Sequence, residues 1–169
     1  MDLLHPKIVH LPMALAVLMP LLAVGVWFAW HKQWLPKRTW WLVVAAQILL
    51  AASGFASMQT GEHDEERAER VVPERAIEQH EDAAKVFMAG SFVVLLLAGA
   101  VLLVRREEAA RRVAVASAVG MFGVLALGVR VGQAGGALVY EHGAANAYVT
   151  PTKPLVPLAA AKHADEDDD

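Results

Sequence analysis

Four long segments of the chain are largely apolar, and polar residues gather between them and at the two ends. The first segment is interrupted by a single histidine, His10, and the interior of the second by a single large polar residue, Gln47. A helix needs about 20 mostly apolar residues to cross the hydrocarbon core of a bilayer. Because a chain of 169 residues cannot surround four such helices with protein, lipid must cover them. The predicted spans are residues 8–30, 40–59, 86–104 and 113–133.

The connections between these segments differ in charge. His31–Thr39 and Arg105–Arg112 are short and basic, whereas Thr60–Lys85 is long and rich in glutamate and aspartate. Short basic loops remain on the cytoplasmic side of a membrane. We therefore expect an up-down-up-down path, with both termini and the acidic loop on the opposite, periplasmic side. Tryptophans near the ends of the first two spans agree with this orientation, because their amphipathic rings favour the interface.

The long acidic loop has the composition of a helix. Gln59–Arg70 and Glu74–Lys85 are rich in strong helix formers, and Pro73 separates them. This pattern predicts that the second and third helices continue beyond the membrane and meet in a hairpin; the alternative is a flexible loop. The predicted fold is thus an all-α membrane protein, a four-transmembrane-helix up-down bundle with a helical hairpin extension outside the membrane.

Composition narrows the chemistry that such a bundle can carry. The chain has no cysteine, which excludes thiolate metal sites, iron–sulfur clusters and covalent c-type haem. Its net charge of −3 provides no basic footprint for nucleic acid. It also lacks the nucleophile-elbow, phosphate-loop and dinucleotide motifs. We assign residues 1–143 to one four-helix domain and residues 144–169 to an extended acidic C-terminal tail.

Five of the seven histidines fall at the outer face in this topology. Imidazole is the usual haem ligand when cysteine is absent, and a low-spin b haem takes two. Diagonal helices of a four-helix bundle are farther apart than neighbouring ones, which leaves room for a group between two imidazoles. This predicts that His5 or His10 pairs with His80, and that His63 pairs with His142. The candidate cofactor ligands are His5, His10, His63, His80 and His142.

The fourth span contains a charge and a glycine repeat. Arg130 is costly in a membrane, so we expect it to pair with a loop glutamate or a haem propionate; the plain alternative is snorkelling to the interface. Gly128, Gly132 and Gly136 recur at every fourth residue and would form one flat helix face. This face predicts close helix packing, within the bundle or in a homo-oligomer, or clearance for a porphyrin edge.

Motifs near the two ends resemble a known family. The opening His5–Pro12, HPKIVHLP, and the closing Gly135–Gly143, GGALVYEHG, are similar to those of a bacterial membrane family called domain of unknown function 2231. The middle stretch from Thr60 to Glu81 resembles one branch of that family. The resemblance covers residues 5 to about 145 and implies a protein of the bacterial inner (cytoplasmic) membrane. Haem binding and electron transport are the activities suspected for the family.

Three functions fit these observations. The leading hypothesis is a b-type cytochrome-like electron carrier at the periplasmic face, with haem b held by the outer histidines and Arg130 balancing the propionate charge. The second is a cofactor-free structural or assembly subunit of a larger respiratory or photosynthetic membrane complex. The third is a periplasmic-side transition-metal site. We expect an accessory membrane subunit rather than a stand-alone enzyme. The candidate ligands for a metal ion are His10, His63, His80 and His142.

Overall fold

The computed structural model describes residues 4–148, apart from the side chains of Leu4, residues 63–67 and Tyr148. Two backbone hydrogen bonds, from Val9 N–H to the His5 carbonyl and from Met13 N–H to the Val9 carbonyl, make α1 and α2 nearly continuous. Within the described residues the chain is helical with no strand. The helices are α1 Leu4–Ile8, α2 His10–His31, α3 Trp41–Ala68, α4 Glu74–Leu103 and α5 Glu107–Tyr140, with 3-10 turns at Lys37–Trp40 and Ala144–Tyr148.

The four long helices form an up-down bundle. Each of α2, α3, α4 and α5 packs on the helix before and after it, and α5 closes the ring against α2. The diagonal pairs α2/α4 and α3/α5 make no direct helix contact within the described residues. All four helices are long and apolar enough to cross a membrane. The predicted fold class is therefore confirmed.

Many of the buried residues of the bundle are small, and many large apolar residues lie on its outside. Ala23, Ala98 and Ala114 are completely buried, while Leu96 and Leu103 expose 74% and 82% of their surface. A water-soluble bundle would bury the leucines, because exposed apolar surface is unfavourable in water. The reverse arrangement suits a lipid solvent, in which close helix packing through small residues supplies the stability.

The end of the bundle at the α2–α3 and α4–α5 connections is closed by inward-pointing tryptophans. Trp40 is completely buried, and its indole N–H donates a 3.1 Å hydrogen bond to the Ala98 carbonyl. Trp30 is also buried and donates a 2.8 Å bond to Glu107. These two rings lie at the predicted depth but face the core, whereas the sequence pattern suggested rings in contact with the lipid interface. An indole N–H is satisfied by a fixed partner here, which the apolar pattern alone does not reveal.

The opposite end, called the outer end after its predicted position, extends as the predicted helical hairpin. Helix α3 continues to Ala68, and α4 begins at Glu74 directly after Pro73. Val72 and Ile77 are buried, so the turn has a small apolar core. The flexible-loop alternative is therefore wrong for the backbone of this segment. At the other boundary, the predicted extended tail begins with a 3-10 turn at residues 144–148, and residues 149–169 lie outside the described residues.

The glycine repeat of α5 packs mainly inside the bundle. A Cβ atom at Gly128 would lie 3.4 Å from Phe87 Cε2 and 3.6 Å from Ala16 Cβ, and one at Gly132 would lie 3.4 Å from Met13 Cε. Only the third position, Gly136, has nothing within 4 Å. The repeat therefore allows contacts of α5 with α2 and α4. Two of its three positions already pack against helices of the same chain and are not free for contact with a second copy.

Candidate functional site

Two of the predicted histidines meet at the outer end of the bundle. The ring centroids of His5, on α1, and His80, on α4, are 6.5 Å apart, and their planes are nearly perpendicular at 88°. Both side chains are half-buried. They come from the diagonal helices on which a shared ligand was predicted, and His5 rather than His10 is the partner that reaches His80.

The orientation of the His5 ring is set by α3. Its Nδ1 lies 2.8 Å from the Ser57 carbonyl oxygen and 3.4 Å from the Thr60 hydroxyl. Because a carbonyl oxygen only accepts hydrogen bonds, a neutral His5 must carry its proton on Nδ1. The lone pair is then on Nε2. A backbone carbonyl behind one ring nitrogen is the arrangement that prepares the other for a metal.

The His80 ring approaches α5 in a similar way. Its Cε1 and Nδ1 atoms would lie 3.2 Å and 3.4 Å from a Cβ at Gly135. The Val131 carbonyl, one helical turn earlier, faces the ring. Nδ1 is buried but does not reach hydrogen-bond geometry with a described partner. The His80 ring is therefore as close to α5 as the His5 ring is to α3, but His80 Nδ1 lacks the hydrogen bond that His5 Nδ1 makes.

Glycine allows both contacts, and sequence reasoning missed this role. A Cβ at Gly61 would lie only 3.2 Å from His5 Cε1. Gly61 follows Ser57 by one helical turn, as Gly135 follows Val131. In each case the missing side chain uncovers the carbonyl of the preceding turn. The sequence holds one signal of this role: a glycine lies four residues after Ser57 and another lies four residues after Val131.

The paired rings suit one metal centre with two imidazole ligands. Two metal–nitrogen bonds of about 2 Å, plus about 1 Å from each nitrogen to its ring centre, place trans imidazole centroids about 6 Å apart. The observed separation of 6.5 Å is close to this value. Within the described residues, no three His, Cys, Asp or Glu side chains converge to complete a protein-only metal cage.

Three other predicted site residues, His10, His142 and Arg130, have exposed side chains. The side chain of His63 lies outside the described residues. Glu81, beside His80, forms an ion pair of 3.0 Å with Lys85. The predicted pairing of His63 with His142 and the pairing of Arg130 with a propionate stay predictions.

The opposite end of the bundle has a different character. His31 lies at this end; its side chain is exposed but stacks on Trp27 with ring centroids 5.3 Å apart. Two shallow clefts of about 440 and 460 Å³ lie here, and both are bordered by Glu107. Their linings contain none of the outer histidines, so these clefts do not belong to the paired site. His163, in the tail, is outside the described residues.

The buried small residues, the four apolar helices and their ring-like order define a four-helix membrane protein. Comparison with known families gives the more specific assignment. The chain belongs to the family described as predicted membrane protein (DUF2231), whose model matches residues 2–148. The resemblance seen in the end motifs is therefore confirmed. No curated protein and no solved structure matches the chain.

Proposed function

We propose that this membrane protein carries electrons at its periplasmic face through a b-type haem bound by His5 and His80. The observation that carries the proposal is the imidazole pair itself, with centroids 6.5 Å apart at the outer end of the bundle. Haem supplies one-electron transfer when it is bound. A protein of this kind would exchange electrons between a quinone or a membrane complex and a periplasmic carrier.

The residues of the chain would orient the ligands for such a group. The Ser57 carbonyl accepts a hydrogen bond from Nδ1 of His5 and so leaves the lone pair on Nε2. His5 and His80 would together hold the haem iron through their imidazoles. Binding would be non-covalent, since the chain has no cysteine for a thioether link. Of the two histidines predicted as partners of His80, the proposal takes His5 rather than His10.

A transition-metal ion without a macrocycle is the second candidate, and the tight glycine contacts favour it. Gly61 and Gly135 hold α3 and α5 close enough that an added methyl would lie 3.2 Å from each ring. A porphyrin is much wider than an imidazole, so its plane must project outward or the outer helix ends must separate. A single ion with two imidazoles and water as ligands needs no such space.

Difference spectroscopy of the full chain in lipid nanodiscs tests the haem proposal. After incubation with hemin, we expect a reduced-minus-oxidised band near ~560 nm, typical of bis-histidine haem. His5→Ala and His80→Ala should each abolish the band, whereas His31→Ala, at the opposite end of the bundle, should retain it.

A colourless wild type that binds Co²⁺ through the same two histidines would reject the haem proposal and support the metal-ion candidate. A band that survives both histidine substitutions would contradict the assigned ligands. If the wild type binds neither hemin nor Co²⁺, the cofactor-free structural subunit becomes the preferred function.

A further inference from the structure

The two halves of the chain can be matched residue by residue at a nearly constant offset, and the two paired histidines obey the same offset. His80 follows His5 by 75 residues, and Gly135 follows Gly61 by 74 residues. The first hairpin, α1 to α3, can thus be laid on the second, α4 and α5, with an almost constant displacement. Further identities in these registers include Met13 with Met88, Ala23 with Ala98, Gly54 with Gly128 and Gln59 with Gln133.

Part of the buried core repeats with the same displacement. Five of the seven buried positions of α2 are also buried 75 residues later in α4, and three of the seven buried positions described in α3 are also buried 74 residues later in α5. Chemically different residues often occupy these matched positions. The α2/α4 matches are Pro12/Phe87, Ala16/Ser91, Met19/Val94, Ala23/Ala98 and Val26/Val101. The α3/α5 matches are Val43/Ser117, Gln47/Met121 and Leu50/Val124, and Trp40, at the end of the 3-10 turn before α3, matches Ala114.

The order of the helices around the bundle is compatible with twofold symmetry. A twofold axis along the bundle exchanges α2 with α4 and α3 with α5, so it requires that α2 pack on α5 as α4 packs on α3, and both contacts occur. Packing within the two hairpins is less symmetric, because α4 packs on α5 more extensively than α2 packs on α3. Met13 and Met88 are equivalent under this operation. Met13 lies over Gly132 of α5, and Met88 lies over Gly54 of α3. These two contacts are one helical turn apart in the register, because Gly54 matches Gly128 rather than Gly132. Since His5 and His80 are also equivalent, their contact lies across the axis.

We propose that the chain is an internal duplication of one helical hairpin, and that its two halves contribute equivalent ligands to a single metal centre on the pseudo-twofold axis. In each half, the glycine of the second helix is a positioning residue: Gly61 acts on His5, and Gly135 acts on His80. The identity of the bound group rests on the proposed function. The equivalence of the two half-sites does not depend on it.

The geometry gives this equivalence a chemical consequence. A Cβ built on the facing glycine would lie 3.2 Å from Cε1 of each ring. The carbonyl of the turn before that glycine lies 2.8 Å from Nδ1 of His5, whereas the Val131 carbonyl is near the His80 ring without a hydrogen bond to Nδ1. In the proposed site His80 takes the same tautomer as His5, so both rings present Nε2 to the metal. A twofold arrangement of two identical donors matches a metal with two equivalent open positions on opposite sides, as in a haem iron. It does not match a ligand that needs one donor and one acceptor.

Nitrogen-15 NMR of histidine-labelled, ligand-free protein in nanodiscs tests the half-sites without any cofactor. We expect both His5 and His80 in the tautomer with the proton on Nδ1. Gly61→Ala should shift the ring resonances of His5 and leave His80 largely unchanged, and Gly135→Ala should do the reverse. Gly123→Ala is the matched control, because a Cβ there has nothing within 4 Å.

Opposite tautomers for the two rings in the wild type would overturn the proposal, and this measurement does not depend on whether any variant folds. The proposal is also overturned if either glycine substitution leaves its own histidine unperturbed. The affinity for hemin supplies the second readout. Losing a group that orients a ligand typically weakens metal binding by about 10–100-fold, so Gly61→Ala and Gly135→Ala should each do so, to a similar extent.

The two proposals fail in different ways. Wild-type protein that has matching tautomers but binds no hemin would reject the haem function while keeping the equivalent half-sites. Hemin binding that depends on His80 but not on His5 would keep a haem protein and reject the twofold site.

Discussion

The contact between Gly120 of α5 and Val94 of α4 makes a sharp prediction about packing in this bundle. A Cβ at Gly120 would lie 2.8 Å from Val94 Cγ2, shorter than carbon atoms can approach without a shift. Val94 is only 4% exposed and is β-branched, so its side chain cannot swing away as a methionine could. Gly120→Ala must therefore push α4 and α5 apart or force valine into a strained rotamer.

A neighbouring glycine supplies the reference for the size of this effect. At Gly123, on the same helix, an added Cβ meets nothing within 4 Å. Both substitutions gain up to about 1 kcal/mol of helix propensity, and this gain cancels when the variants are compared. Overpacking of a core costs about 1–3 kcal/mol. We therefore expect Gly120→Ala to be about 1–3 kcal/mol less stable than Gly123→Ala.

Reversible unfolding in mixed detergent micelles, followed by the circular dichroism of the helices, measures this difference. Adding Val94→Ala to Gly120→Ala should recover part of the lost stability, because the smaller side chain makes room for the methyl group. The reasoning is refuted if Gly120→Ala is as stable as Gly123→Ala, or if Val94→Ala destabilises the protein equally with and without the new methyl.

Two other predictions concern the polar core and the topology. Gln47 is completely buried, and its Nε2 donates to the Ser91 carbonyl at 3.1 Å while its Oε1 has no described partner. The free energy of unfolding of Gln47→Leu should stay within about 1 kcal/mol of the wild type, since the change removes an unpaired oxygen and keeps the volume. Gln47→Ala should lower it by about 2 kcal/mol or more, because it leaves a cavity. Equal losses for the two variants in unfolding experiments would contradict this. Because the chain lacks cysteine, Arg70→Cys and Gln33→Cys give single labelling sites. An impermeant maleimide should label Arg70→Cys in intact spheroplasts and Gln33→Cys only after lysis, and the opposite pattern would reverse the proposed orientation.

Several features could be determined from the sequence alone. The four spans follow from the length of the apolar segments, because the thickness of the bilayer sets the length of a crossing helix. The hairpin extension follows from the helix-forming residues on either side of Pro73. An even number of crossings then places most histidines on one side, without any knowledge of how the helices are rotated. The family motifs agree with this outline.

Only the tertiary structure decided which histidines meet. His5 and His10 are both near the start of the first span, yet His5 contacts His80 while the side chain of His10 is exposed. The rotation of each helix about its own axis determines which histidine faces the interior of the bundle. In a soluble bundle the apolar stripe would reveal it. Here the surface facing lipid is as apolar as the surface facing the core, so hydrophobic periodicity does not identify the inner face.

The glycine positions and the internal repeat were hidden for a related reason. Gly61 and Gly123 both lie within helices, but Gly61 faces an imidazole ring whereas a Cβ at Gly123 would have nothing within 4 Å. Matched core positions of the two hairpins hold different residues, such as Trp40 and Ala114, because each fills the space that its neighbours leave. Length and composition thus determined how often the chain crosses the membrane and what chemistry it can carry. Close packing between helices decided which groups the chemistry can use, since contact distances depend on rotations that lipid-exposed apolar residues do not record.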